Sequence, residues 1–180
     1  WRCHQGGKAL RAYFTSNSQN IRSAPTSTSL YFSSMNRTSI AIALLGAFVL
    51  PSYPANAHQP VVLLNSDTSA AKGPLLVDGT VSFAVRASFT KPGEKKAFRA
   101  GFKAGDQLSV QLLIIDKKPE NKLKSSQLPT VVITDPMGAS TTLKITERTK
   151  FLETFTSTNY LYLARYTSTA KEGIYSFVIT

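Results

Sequence analysis

Apolar residues recur at every second position through most of the chain after residue 80. Val81, Phe83, Val85, Ala87 and Phe89 alternate with Ser82, Ala84, Arg86 and Ser88. A period of two is the mark of a strand with one buried and one wet face. In residues 96–103, Phe98, Ala100 and Phe102 fall on one face and Arg99 on the other. Residues 107–116 alternate through Leu108, Val110, Leu112 and Ile114, and further strands are predicted over 130–135, 141–146 and 173–180. In residues 158–167 the same rule places Tyr160, Tyr162, Ala164 and Tyr166 on one face, with Leu161 and Leu163 on the other. The leucine face is the better core candidate, which leaves the tyrosines for the surface.

Turn chemistry separates these runs. Asp78-Gly79 and Pro92-Gly93 are turn dipeptides, and Ala104-Gly105-Asp106 leads into a strand. Asp135-Pro136-Met137-Gly138 carries Asp, Pro and Gly where a type I turn favours them. Residues 170–173 turn the chain into its last strand. Residues 117–127 read as a lysine-rich solvated loop, and helical periodicity nowhere lasts beyond about two turns. The predicted fold is all-β, an antiparallel β-sandwich of jelly-roll type.

The chain before residue 58 reads differently. Asn36-Arg37 after Met35 forms a short basic region, residues 39–50 are apolar, and residues 51–57 end in Ala-Asn-Ala. This is the order of a secretory signal peptide over residues 35–57, with cleavage between Ala57 and His58. The competing reading is a retained membrane anchor, but twelve apolar residues closed by Pro51 fall short of the ~20 that span a bilayer. No stable membrane span is therefore expected after cleavage. Residues 1–34 are acid-free and lack periodicity; they read as a disordered leader upstream of the true start, or else as a transit peptide. Residues 58–180 form the exported domain, periplasmic or extracellular, and its strand-like final run raises the expectation of further sequence beyond Thr180.

Charge sharpens this division. All ten acidic residues lie after position 57, and the first 57 residues carry five basic ones. Residues 58–180 hold sixteen basic and ten acidic residues, a net of +6. One cysteine and two histidines in the whole chain exclude a disulfide framework and a cysteine-rich zinc site. No cofactor is expected. No phosphate-cradling glycine loop is present, and no recognition-helix or RNA-binding signature, so nucleic acid is not an expected partner.

The turns and strands together resemble the bacterial pre-peptidase C-terminal domain, a secreted jelly-roll sandwich. Gly105-Asp106, residues 135–138 and residues 173–177 occupy the places of that family's motifs, over about residues 94–180. The resemblance implies a non-catalytic accessory or binding module. The acidic loops of many members are missing here, so the resemblance does not extend to bound calcium.

Three candidate sites follow. Lys95, Lys96 and Arg99, with Lys91 and Lys103, cluster around one predicted hairpin, and Lys117, Lys118, Lys122 and Lys124 share a loop. They suit anionic or glycan envelope polymers, unless they only guard sheet edges. Tyr160, Tyr162 and Tyr166 offer an aromatic face for stacking, unless they pack across strands. His58, as the first residue after cleavage, offers an imidazole and an α-amino group that suit copper, although a copper brace needs a second histidine. Catalysis finds no triad, and Asp106, Asp116, Asp135, Glu147 and Glu153 show no spacing that singles out a catalytic pair. An enzyme completed by sequence beyond Thr180 is the third alternative, after the binding module and the copper protein.

Overall fold

The computed structural model describes residues 58–154 and 156–180. The expected leader (residues 1–34), the expected signal peptide (residues 35–57) and Ala57 of its expected cleavage site lie outside the described residues. Ten strands follow in order: β1 (Gln59–Val62), β2 (Leu75–Leu76), β3 (Phe83–Arg86), β4 (Lys96–Phe102), β5 (Gln107–Ile115), β6 (Val131–Thr134), β7 (Ser140–Leu143), β8 (Thr149–Glu153), β9 (Thr158–Thr169) and β10 (Gly173–Ile179). The only helical pieces among the described residues are two single 3-10 turns, Glu120–Lys122 and Ser125–Gln127. The described domain is all-β.

Five strands form one sheet in the order β2-β4-β10-β6-β7, and three form another in the order β5-β9-β8. All neighbours in these sheets are antiparallel except β2 and β4, which run parallel. A separate parallel pair joins β1 to β3. The two larger sheets share one sandwich-like core. Phe98, Ala100 and Phe102 of β4 and Tyr175, Phe177 and Ile179 of β10 meet Leu108, Val110, Leu112 and Ile114 of β5 within a single cluster. Alternation dictates this outcome, because each run presents its apolar row to the same side. Phe98 and Phe177 are paired across β4 and β10, and their rings stack at 4.5 Å. Phe102 meets Tyr175 edge to face at 5.4 Å. A core side chain of this size stabilises by about 1.5–3 kcal/mol on burial.

Two features depart from simple alternation. The first is a bulge: Leu112 pairs with Ala164 and Leu113 with Tyr162, which leaves Leu163 as an extra residue of β9. A bulge shifts the side-chain alternation by one position. Leu161, Leu163 and Ala164 therefore all enter the main core, and Tyr166 packs against it. Tyr160 and Tyr162 lie instead with Leu113, Ile115 and Ala84 in a second, smaller cluster. The expectation that Tyr160, Tyr162 and Tyr166 share one face is thus corrected.

The second is Lys96. It begins the row that continues through Phe98, Ala100 and Phe102, and only 1 % of it is exposed. Beside it, residues 64–74 lie against β4. A Cβ on Gly73 would stand 1.9 Å from the Ala97 carbonyl oxygen, so only glycine permits this approach. Ala97 and Arg99 donate their amides to Asp67 and Pro74 of that segment.

Candidate functional site

A groove of about 740 Å³ lies between two connections. One wall is residues 89–94, between β3 and β4, and the other is residues 119–130, between β5 and β6. Thr130 and Thr180 close one side by exchanging backbone hydrogen bonds of 2.9 and 3.0 Å. Phe89, Leu123, Leu128 and three prolines, Pro92, Pro119 and Pro129, supply apolar lining; Thr90, Ser126, Gln127 and Thr130 supply polar groups. A volume in this range suits a small ligand or a segment of a polymer.

Each wall is held in place. The first turns at Gly93, with φ +74°. Glu94 then folds back, and its Oε2 accepts from the Thr90 amide at 2.8 Å and hydroxyl at 3.2 Å. The Thr90 amide, with the nearby Lys96 ammonium, holds the Glu94 carboxyl below the usual range despite partial desolvation. Glu94 Oε1 faces Lys96 Nζ at 3.4 Å. Lys96 Nζ also donates to Leu64 O at 3.0 Å and Asn65 Oδ1 at 2.5 Å. The second wall is fixed from outside: Arg148 donates to Asn121 O at 3.2 Å and Leu123 O at 2.6 Å. Asn121 Nδ2 donates to Asp116 Oδ1 at 2.7 Å. Walls fixed in this way spare a ligand the entropy of ordering them.

The lysines divide between these parts. Lys91 lines the groove, and its loop also carries the exposed Lys95. Lys117, Lys118, Lys122 and Lys124 are exposed on the opposite loop. Two lysine-bearing loops over twenty residues apart in sequence thus wall one groove, and of their lysines Lys91 is the one among its lining residues. The structure does not bring the whole predicted cluster together. Lys96 is buried in an ion pair and cannot meet a ligand at the surface. Arg99 lies half-buried on the other face of β4, with Nη2 3.5 Å from Gly73 O and a buried Nε without a partner. Lys103 follows the far end of β4, roughly 20 Å along the strand at ~3.3 Å per residue.

The tyrosines are also dispersed. Tyr160 is buried. Tyr162 is half-buried: the Arg165 guanidinium lies 4.0 Å above its ring and Phe151 packs at 5.3 Å. Arg165 is pinned by Glu147 at 3.0 Å. Burial pushes the Tyr162 hydroxyl above its usual range. Tyr166 packs toward the core from the opposite face. Arg165 and Phe151 occupy the ring that stacking on a sugar would need.

His58 is exposed, and its Nδ1 lies 2.6 Å from Ser82 Oγ. Among the described residues no three of His, Cys, Asp and Glu gather as a metal site would require. The carboxylates weighed as catalytic candidates hold turns or pair with neighbouring side chains instead. Asp106 accepts from the Lys103 amide at 2.7 Å, and Asp135 accepts from the amides of Met137 and Ala139 at 2.9 Å. Lys171 bridges to Asp135 at 2.7 Å and holds its carboxyl below the usual range. Glu147 pairs with Arg165, and Glu153 binds the Thr156 amide at 2.8 Å.

No helix among the described residues is long and apolar enough to cross a membrane. No family model matches the chain, and no curated protein and no solved structure matches it.

Proposed function

We propose that the chain is an exported, non-catalytic binding module that engages anionic or glycan polymers of the cell envelope. The observation that carries this reading is the convergence of two lysine-bearing loops on one groove. Point charges on flexible stems suit a flexible polyanion better than a single bidentate partner. The engagement of Asp106, Asp135 and Glu153 in turns and of Glu147 with Arg165 supports binding over catalysis. Export rests on the signal sequence in residues 35–57. The jelly-roll assignment, and with it the kinship to the pre-peptidase C-terminal domain, rests on the turn motifs at Gly105, residues 135–138 and Gly173.

The test is titration of the full chain with envelope polymer extracts and with purified polyanions and glycans. The expected result is saturable binding that weakens as salt screens the lysines. Substituting Lys117, Lys118, Lys122 and Lys124 by Glu should abolish it. Absence of saturable binding to any polyanion or glycan would end this reading. The intact mass of protein exported from a bacterial host, expressed from Met35, tests the export component: it should match a chain beginning at His58.

A further inference from the structure

Three reactive groups meet at the start of β4: an amine, a carboxamide and a carboxylate. The amine is Lys96, whose side chain is 1 % exposed and whose partner across β10 is the wholly buried Ile179. Its Nζ lies 2.5 Å from Asn65 Oδ1, 3.0 Å from Leu64 O and 3.4 Å from Glu94 Oε1. Asn65 is held in place from both sides. Before it, Leu63 is buried in the core and donates its amide to Arg86 O at 2.9 Å. After it, the buried Asp67 accepts the Leu64 amide on Oδ2 at 2.7 Å, and its carbonyl accepts the Ala97 amide at 2.7 Å. Two groups held in contact by a fold react as one molecule, without the entropy cost of meeting. A lysine amine is a nucleophile once it has lost a proton, and the side-chain amide of asparagine is an electrophile. Glu94 is held ionised by the Thr90 amide, which is the form that accepts a proton.

We infer that Lys96 and Asn65 condense into an intramolecular isopeptide bond, with Glu94 as the proton acceptor. Glu94 takes one proton from the ammonium, and the free amine attacks Asn65 Cγ. A C–N bond forms as the carbonyl electron pair shifts to Oδ1. A second proton passes from Nζ to Nδ2, the pair on Oδ1 returns, and the Cγ–Nδ2 bond breaks. Ammonia leaves, and Glu94 gives its proton to solvent. No oxidant, reductant or co-reactant is consumed. Asn65 is exposed, so ammonia has a path out. The bond would close residues 65–96 into a covalent loop, as a disulfide does. The one cysteine of the chain is Cys3, so residues 58–180 have no thiol for that purpose.

The experiment is intact-mass spectrometry of the purified full chain, followed over days at neutral pH and joined to tryptic mapping. The mass should fall by one ammonia. Trypsin should fail to cut after Lys96, and residues 96–99 should emerge joined to the peptide that contains Asn65. Asn65→Ala, a change at an exposed position, should keep its full mass. Glu94→Gln should slow the reaction about a hundredfold or more. Circular dichroism of both variants verifies the fold, and the unaltered chain decides the question without either. A chain that keeps its full mass would overturn the inference. So would an ammonia loss confined to a linear peptide, since cyclisation of Asn65 on the Ser66 amide also releases ammonia. Equally fast cross-linking in Glu94→Gln would overturn the role given to Glu94.

Discussion

Replacing Lys96 by Ala is the most informative perturbation of this fold. The side chain is 1 % exposed and lies in an otherwise apolar row of β4. It gives hydrogen bonds to Leu64 O and Asn65 Oδ1 and pairs with Glu94, whose side chain is 14 % exposed. Truncation to alanine removes buried methylenes worth about 0.8 kcal/mol each. It also leaves the Glu94 carboxylate and the Leu64 carbonyl without their cation. Breaking a buried pair from one side costs about 3–5 kcal/mol, and that range is the expected total. For a domain of this size the melting temperature should fall by roughly 12–20 °C. Urea unfolding at pH 7, followed by far-ultraviolet circular dichroism, measures the free energy. Lys96→Met serves as the companion, because it restores the stem but not the charge; it should recover about half the loss. Hydrogen exchange should show faster exchange at the Leu64 amide, which now bonds Asp67 Oδ2 at 2.7 Å. A cost below about 1 kcal/mol for Lys96→Ala would refute the argument that this lysine fastens residues 64–67 and the groove wall together.

Other substitutions test separate parts of the account. Gly73→Ala should destabilise by about 1–3 kcal/mol, since its Cβ would collide with backbone at Ala97; thermal melting would show it. Leu163→Ala, at the wholly buried bulge residue, should cost about 3–5 kcal/mol by the same assay. Tyr175→Phe removes the hydroxyl that accepts from the Lys171 amide at 2.9 Å and should cost about 1 kcal/mol. The carboxyls of Asp78, Glu94 and Asp135 are all held low, by Thr80, by the Thr90 amide and by Lys171 respectively. In acid the unfolded chain therefore takes up protons before the folded one. Their stabilisation is complete above the unfolded values near pH 4 and is lost as pH falls through the lower folded values. Denaturation midpoints from pH 7 to pH 2 should be flat above about pH 5 and drop below it.

Much of this architecture is legible from the sequence because it depends on local alternation. The runs that became β4, β5, β6, β9 and β10 announce themselves by period two, and the glycines at 93, 105, 138 and 173 adopt the positive φ that their turns require. β1, β2 and β8 escape the same reasoning. β1 contains Pro60 and does not alternate, β2 has only two residues, and β8 is an edge strand with exposed residues on both faces. Their positions are set by neighbours distant in sequence. The bulge at Leu163 is likewise invisible in a run of uniformly alternating residues, and it separates Tyr166 from Tyr160 and Tyr162. Lys96 misleads because burial of a charge depends on Asn65 and Leu64, some thirty residues away. For the groove, each lysine run can be seen in the sequence, but the meeting of the two loops that carry them depends on how the β3–β4 and β5–β6 connections pack.

The central claim is that the space between residues 89–94 and 119–130 is where this protein meets its ligand. Backbone amide NMR shifts of the full chain, followed during titration with purified envelope polyanions and glycans, test it most directly. The account predicts saturable shifts concentrated in those two segments and at Thr180, with little change around Tyr162 and Arg165. Saturable shifts centred on the β5-β9-β8 sheet, with the groove silent, would contradict it.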